Sequence, residues 1–208
     1  MSALQVDPRL AIVVHADRVK VLVVGGGAVA ERRALGLAER GARVRVVAKR
    51  ATDGLRDAAG RGALDLSLRG YESGDVADAE LVIAATDDRA TNARVAADAR
   101  AAHRLCNVAD APEEGSFSAI AQRTTGALLL AVGANGVPAA ASRLLDVIGA
   151  RFDARYGEAF DALRALRERL LARDARGEWE RASEQLLGDD FTTRVEDGRL
   201  TREARGWR

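Results

Sequence analysis

The chain has 208 residues, 48% of them hydrophobic and 30% charged, which suffices for one full domain with a smaller companion and excludes a disordered chain. Lys and Arg number 32 against 31 Asp and Glu, for a net charge of +1. That balance removes the broad basic surface that nucleic-acid binding requires.

Cys106 is the single cysteine, which excludes an intramolecular disulfide and a cysteine zinc site. A reduced, cytoplasmic setting is expected. Residues 1–10 carry Asp7 and Arg9 and lack an apolar stretch of signal-peptide type. No apolar run approaches the roughly 20 residues of a membrane span, so no membrane partner is expected.

In chain order, residues 10–14 read as a short strand and residues 15–18 as a polar turn. Residues 19–24 form a nearly continuous apolar run, the pattern of a strand buried on both faces of a parallel sheet. Three glycines, Gly25 to Gly27, break it. A helix is predicted over residues 28–40, stopped by Gly41, with the next strand over residues 44–48. Strand, glycine turn, helix and strand within about 30 residues make one βαβ unit. Further strands are predicted at 64–68, 81–85 and 105–108, with a helix over 91–102. Pro112 closes this alternation.

Beyond Pro112 the pattern changes. Residues 116–122 and 127–132 read as an antiparallel strand pair around a turn at 124–126. A helix follows over 137–152 with Pro138 in its first turn, where proline is tolerated. The remainder is helical, with Leu163, Leu166, Leu170 and Leu171 on one apolar stripe and Trp179, Leu186 and Leu187 on another. The predicted fold class is α/β. An N-terminal Rossmann-type parallel sheet (1–113) precedes a small strand-strand-helix segment (114–152) and a C-terminal helical region (153–208).

The strongest chemical signal is Gly25-Gly26-Gly27-Ala28-Val29-Ala30, which fits G-x-G-x-x-G/A through Gly25, Gly27 and Ala30. The first glycine permits the tight turn, the second lets the backbone approach a pyrophosphate, and the small third residue lets helix and strand pack. The strand before it and the helix after it supply the context of a dinucleotide site; a tight turn without ligand is the structural alternative. At the end of the next strand stand Lys49 and Arg50, with no acid before Asp53. They suit the extra phosphate of NADP, or are plain loop charges.

Thr86-Asp87-Asp88 follows the strand at 81–85, at the sheet edge where ligands sit in open α/β folds. Asp87 or Asp88 equally suits the N-cap of the next helix. Asp110 ends the following strand at the same edge, placed for a general base or for a turn. His15 and His103 are too isolated for a metal site, and none is expected. Cys106, inside an apolar strand, reads as a small buried side chain.

Taken together, the string from Val23 to Arg32, Ala84-Ala85-Thr86-Asp87-Asp88 with Asn92, and Asn107-Val108-Ala109-Asp110-Ala111-Pro112 with Ser116-Phe117 resemble the precorrin-2 dehydrogenase family. This is the N-terminal module of siroheme synthase, which also occurs free-standing. The resemblance extends over essentially the whole chain, and no methyltransferase domain follows, as in the free-standing form.

It implies NAD-dependent oxidation of the tetrapyrrole precorrin-2 to sirohydrochlorin, and in some members insertion of ferrous iron, a lyase step. It also implies Asp110 as the catalytic residue and NAD held through Ala28, Val29 and the segment of Lys49 and Arg50. Gly25, Gly27, Thr86 and Asp87 complete the expected cofactor site. A homodimer through the part after the Rossmann domain is implied as well.

The chain departs from the family pattern at residues 133–141, where a serine or threonine and a lysine are missing. Precorrin-2 is a polycarboxylate, so basic residues should face it, with Arg123, Arg143 and Arg151 as candidates. Two other classes fit the residues. One is an NAD-sensing Rossmann module, which needs no carboxylate at the nicotinamide. The other is an NADP-dependent reductase of another substrate, suggested by Lys49 and Arg50.

Overall fold

Five short apolar runs build the first part of the protein. The computed structural model describes residues 9–207, so the reading of residues 1–10 as lacking a leader falls mostly outside them. The strands are β1 (Lys20–Val24), β2 (Arg43–Ala48), β3 (Asp65–Leu68), β4 (Leu81–Ala84) and β5 (Leu105–Val108). They form one parallel sheet in the order β3-β2-β1-β4-β5. β1 is central, with Val21 opposite both Val44 and Leu81.

Successive β1 residues point to opposite faces, and both faces are covered. Leu22 and Val24 join Val82, Val108 and the buried side of α3 (Arg89–Ala101) in one core. Val21 and Val23 join Val46, Ile83, Ala30 and Ala34 of α1 (Ala28–Ala38), and Leu55 of α2 (Asp53–Gly60), in the other. The doubly wound parallel sheet expected from the apolar runs is present. Its strand order reverses between β1 and β4, the point at which such sheets open a crevice beyond their carboxyl ends.

Three local expectations need correction. Residues 10–14 are not a strand: Leu10, Ile12, Val13 and Val14 are exposed, and no strand of the sheet pairs with them. The helix α2 is an additional element, concealed by glycines at positions 54 and 60 and started by Thr52, whose hydroxyl accepts from Leu55 N–H (3.4 Å). Residues 116–120 are also not strand. Ser116 and Phe117 donate their N–H groups to the Cys106 carbonyl (2.7 and 3.2 Å), and the Ser116 hydroxyl accepts from Cys106 N–H (2.8 Å). These bonds tie the segment to β5.

The chain divides into two compact units between Ala119 and Ile120. In the second, β6 (Ala121–Thr125) and β7 (Leu128–Val132) form the expected antiparallel hairpin, with Ala121 opposite Val132. Helix α4 (Pro138–Arg151) follows and turns Ala141, Leu145 and Gly149 inward. The helices α5 (Ala154–Leu171), α6 (Arg176–Leu186), α7 (Phe191–Glu196) and α8 (Arg199–Gly206) complete it. Their shared core includes Tyr156, Leu163, Leu166, Leu170, Leu186, Val195 and Leu200, with Trp179 packed against it. Leu163, Leu166 and Leu170 of the predicted stripe are buried, whereas Leu171 is only half-buried and Leu187 is exposed. No helix among the described residues is long and apolar enough to cross a membrane.

Candidate active site

The glycine turn after β1 is held between the ends of β2 and β4. Gly25 has φ +127°, and a Cβ there would lie 2.2 Å from the Ala85 carbonyl oxygen. A Cβ on Gly26 would lie 2.0 Å from the Arg50 carbonyl oxygen. Two backbone bonds fix the turn: Gly25 N–H to the Val47 carbonyl and Thr52 N–H to the Gly26 carbonyl, both 3.0 Å. Gly25 and Gly26 thus owe their identity to the chain's own backbone.

Gly27 does not. No atom lies within 4 Å of a Cβ placed on it, and its φ of −88° is open to any residue. It is the N-cap of α1, and no side chain caps that helix. Gly27, Ala28 and Val29 are exposed, while Ala30 is buried and lets α1 pack on the sheet. The result is an open space in front of a helix N-terminus, with backbone N–H groups facing it. Such an opening fits a pyrophosphate, which takes hydrogen bonds and a favourable dipole there.

The other predicted site residues come to the same edge, because each follows the carboxyl end of a strand. Lys49 and Arg50 follow β2 and are exposed. Thr86 and Asp87 follow β4, and Asp87 is exposed. Asp88 is the N-cap of α3: its carboxylate accepts from Ala90 N–H (3.0 Å) and from the Thr91 hydroxyl (2.7 Å). The Thr91 bond holds the Asp88 carboxyl below the usual carboxylate range, and the nearby Lys49 charge adds to this.

Asp110 stands two residues beyond β5. Its Oδ1 accepts from Asn92 Nδ2 (2.9 Å), and its Oδ2 lies 3.9 Å from Arg89 Nε. The side chain is 39% exposed, so one oxygen is anchored while the carboxylate still meets solvent. Arg89 also pairs with Glu114. Asn92 is completely buried and further bonds Thr86, so the ends of β4 and β5 are tied through one amide.

Asn92 and Arg89 are the site residues that reasoning from the sequence left without a role. The available signal was the position of Asn92 on the helix face that Val95, Ala96 and Ala99 bury, where a polar side chain needs partners.

Cys106 is buried, and that burial pushes its thiol up to about 11, which leaves it protonated and inert near neutrality. His15 and His103 are exposed, and His103 closes α3 with a left-handed φ of 55°. In the second unit, Arg123 pairs with Asp146 (2.9 Å) and Arg151 lies 3.7 Å from Glu196. Arg143 is exposed on α4.

Comparison with known proteins gives matches of three kinds. The sequence model of the family described as "Putative NAD(P)-binding" matches residues 12–121. The siroheme synthase of Ectopseudomonas mendocina is 42% identical over 153 residues, covering 72% of this chain and 32% of that protein. The siroheme synthase of Pseudomonas entomophila is 37% identical over 183 residues, covering 81% and 39%. The chain therefore spans between about a third and two fifths of the length of these relatives. Among solved structures, a precorrin-2 dehydrogenase (SirC) superposes with a TM-score of 0.76 at 22% identity, over 96% of this chain and 100% of that one. At that identity the likeness establishes the fold.

Proposed function

The chain belongs to the NAD(P)-binding family whose model spans residues 12–121, and from that premise we propose that it is an NAD-dependent precorrin-2 dehydrogenase. The observation that carries the proposal is Asp110. A carboxylate anchored through a buried amide, at the sheet edge that also holds an open phosphate turn, is what a dehydrogenase needs and a sensor does not. The siroheme synthase relatives supply the substrate class.

Oxidation of precorrin-2 to sirohydrochlorin removes two hydrogens and forms one new double bond. One carbon–hydrogen bond breaks with its electron pair, and NAD supplies the acceptor for that hydride. The second hydrogen leaves as a proton. Asp110 takes it up at its carboxylate and returns it to water. The peptide N–H groups of Ala28 and Val29 would hold the pyrophosphate, and Gly27 leaves room for it. Gly25 and Gly26 shape the turn, while Thr86 and Asp87 border the site beyond β4. Lys49 and Arg50 lie where the adenosine ribose would be met.

The direct test is to incubate the protein with precorrin-2 and NAD and follow the tetrapyrrole spectrum. Conversion to sirohydrochlorin is expected with or without iron. Insertion of ferrous iron into that product is the finer reading, and adding iron to the same mixture tests it separately. A cytoplasmic, reduced setting belongs to the proposal and suits the free thiol of Cys106. A second reading, an NADP-dependent reductase, is favoured by Lys49 and Arg50, which stand exposed after β2. Titration with the two cofactors separates them: tighter NAD binding supports the first, tighter NADP binding the second.

The proposal includes a homodimer through the second unit. Helix α4 covers the hairpin with Ala141, Leu145 and Gly149, yet its outer side carries Leu144 and Val147, 50% and 59% exposed. Ile120, Leu129 and Val137 are exposed apolar residues of the same unit. Exposed apolar side chains gathered on one unit are the mark of an interface, and a second copy would bury them. Sedimentation at micromolar concentration is expected to give twice the chain mass. Leu144→Glu with Val147→Lys should return it to the mass of one chain. A wild-type protein that sediments as a monomer contradicts this part.

A further inference from the structure

A completely buried asparagine is unusual unless every polar atom finds a partner, and Asn92 meets that condition. Its Oδ1 accepts from Thr86 N–H (3.1 Å) and lies 2.7 Å from the Thr86 hydroxyl. Its Nδ2 donates to the Thr86 carbonyl (3.1 Å) and to Asp110 Oδ1 (2.9 Å). The pattern fixes the amide's orientation, since the backbone N–H of Thr86 demands an acceptor and the Asp110 carboxylate demands a donor. Around it, Val95, Ala96 and Ala99 continue the same face of α3 into the core. An aliphatic side chain would suit that face for packing alone. The amide instead spends its bonds on the ends of β4 and β5.

We infer that Asn92 is a positioning residue for proton transfer at Asp110. The inference rests on the dehydrogenase reading proposed above and deepens it by naming what sets the base. The bond to Oδ1 restrains rotation of the Asp110 carboxylate and leaves Oδ2 as the oxygen available to a substrate proton. The same amide grips the backbone of Thr86. Residue 86 directly follows Ala85, whose carbonyl closes on Gly25, so the carboxylate is referenced to the strand end that borders the phosphate turn. Arg89 Nε, 3.9 Å from Oδ2, and Glu114, paired with Arg89, are the charged neighbours on the other side. Rigid placement of this kind matters because small misplacements of a reacting group cost large factors in rate.

A double-mutant cycle tests the role. Asn92→Ala should lower kcat roughly tenfold or more, with KM for precorrin-2 and the Kd of NAD changed less than about threefold. Introduced into Asp110→Ala, the same change should cost nothing further, because the group it positions is gone. A residue that only holds the fold together would subtract the same factor in both backgrounds. Asn92→Asp is the second variant. It keeps size and the acceptor facing Thr86 N–H but sets a second carboxylate against Asp110 in place of a donor. Thus kcat should fall again, with a lowered melting temperature because that buried carboxylate has no cation beside it among the described residues.

If Asn92→Ala does not fold, Asn92→Asp decides alone. Wild-type kcat in either folded Asn92 variant overturns the inference, as does a full repeat of the loss in the Asp110→Ala background. A wild-type protein that does not oxidise precorrin-2 overturns the parent reading and this one with it. Turnover in the wild type with no effect at Asn92 overturns this one alone.

Discussion

Replacing Asp110 by asparagine is expected to lower precorrin-2 turnover by a factor on the order of 100 or more, while NAD binds nearly as before. The substitution keeps the shape of the side chain and leaves an oxygen to accept from Asn92 Nδ2, now at 2.9 Å. It removes the ability to take a proton. The side chain is 39% exposed and lies after β5 rather than within it, so the sheet does not depend on its charge. Asp110→Ala should match the loss in turnover and additionally leave the Asn92 amide without one acceptor. Steady-state kinetics with a parallel NAD titration checks both. An Asp110→Asn protein that works at the wild-type rate would reduce Asp110 to a turn residue and place the base elsewhere.

Gly27→Asp should abolish NAD binding in a protein that remains folded. Nothing within the chain opposes the new side chain, since no atom lies within 4 Å of its Cβ and the backbone is ordinary there. Aspartate is moreover a favoured N-cap and complements the helix dipole, so α1 should gain rather than lose stability. The same carboxylate would occupy the N–H groups and the space that a pyrophosphate needs, and would repel it. Gly26→Ala is the opposite case: its Cβ would fall 2.0 Å from the Arg50 carbonyl oxygen, and the fold itself should suffer. Melting curves beside NAD titrations distinguish the two. Unchanged NAD affinity in folded Gly27→Asp would show that this turn is not the cofactor site.

Much of this was legible in the sequence, for identifiable physical reasons. Buried parallel strands read as apolar runs, so β1, β2, β4 and β5 were found nearly to the residue. Pro138 and the second strand of the hairpin were equally plain, whereas its first strand, expected over 116–122, stands at Ala121–Thr125. The failures have causes too. Residues 10–14 carry the apolar run of a strand, but strand character is conferred by a partner, and none pairs with them. Helix α2 hid because Gly54 and Gly60 weaken helix propensity, while its stability comes from burying Leu55 and Ala58.

At the site, the glycine fingerprint was readable, but the division of labour within it was not. Gly25 and Gly26 serve backbone approach to Ala85 and Arg50, residues distant in sequence, and only Gly27 faces open space. The link from Asn92 to Asp110 spans 18 residues and two elements, which no local pattern reports.

The proposed function stands most directly on one measurement: NADH and sirohydrochlorin followed together after mixing the protein with precorrin-2 and NAD. The two products are expected in equal amounts, at a rate that scales with protein, and Asp110→Asn should suppress both alike. Precorrin-2 left unchanged by a folded protein that binds NAD would contradict it.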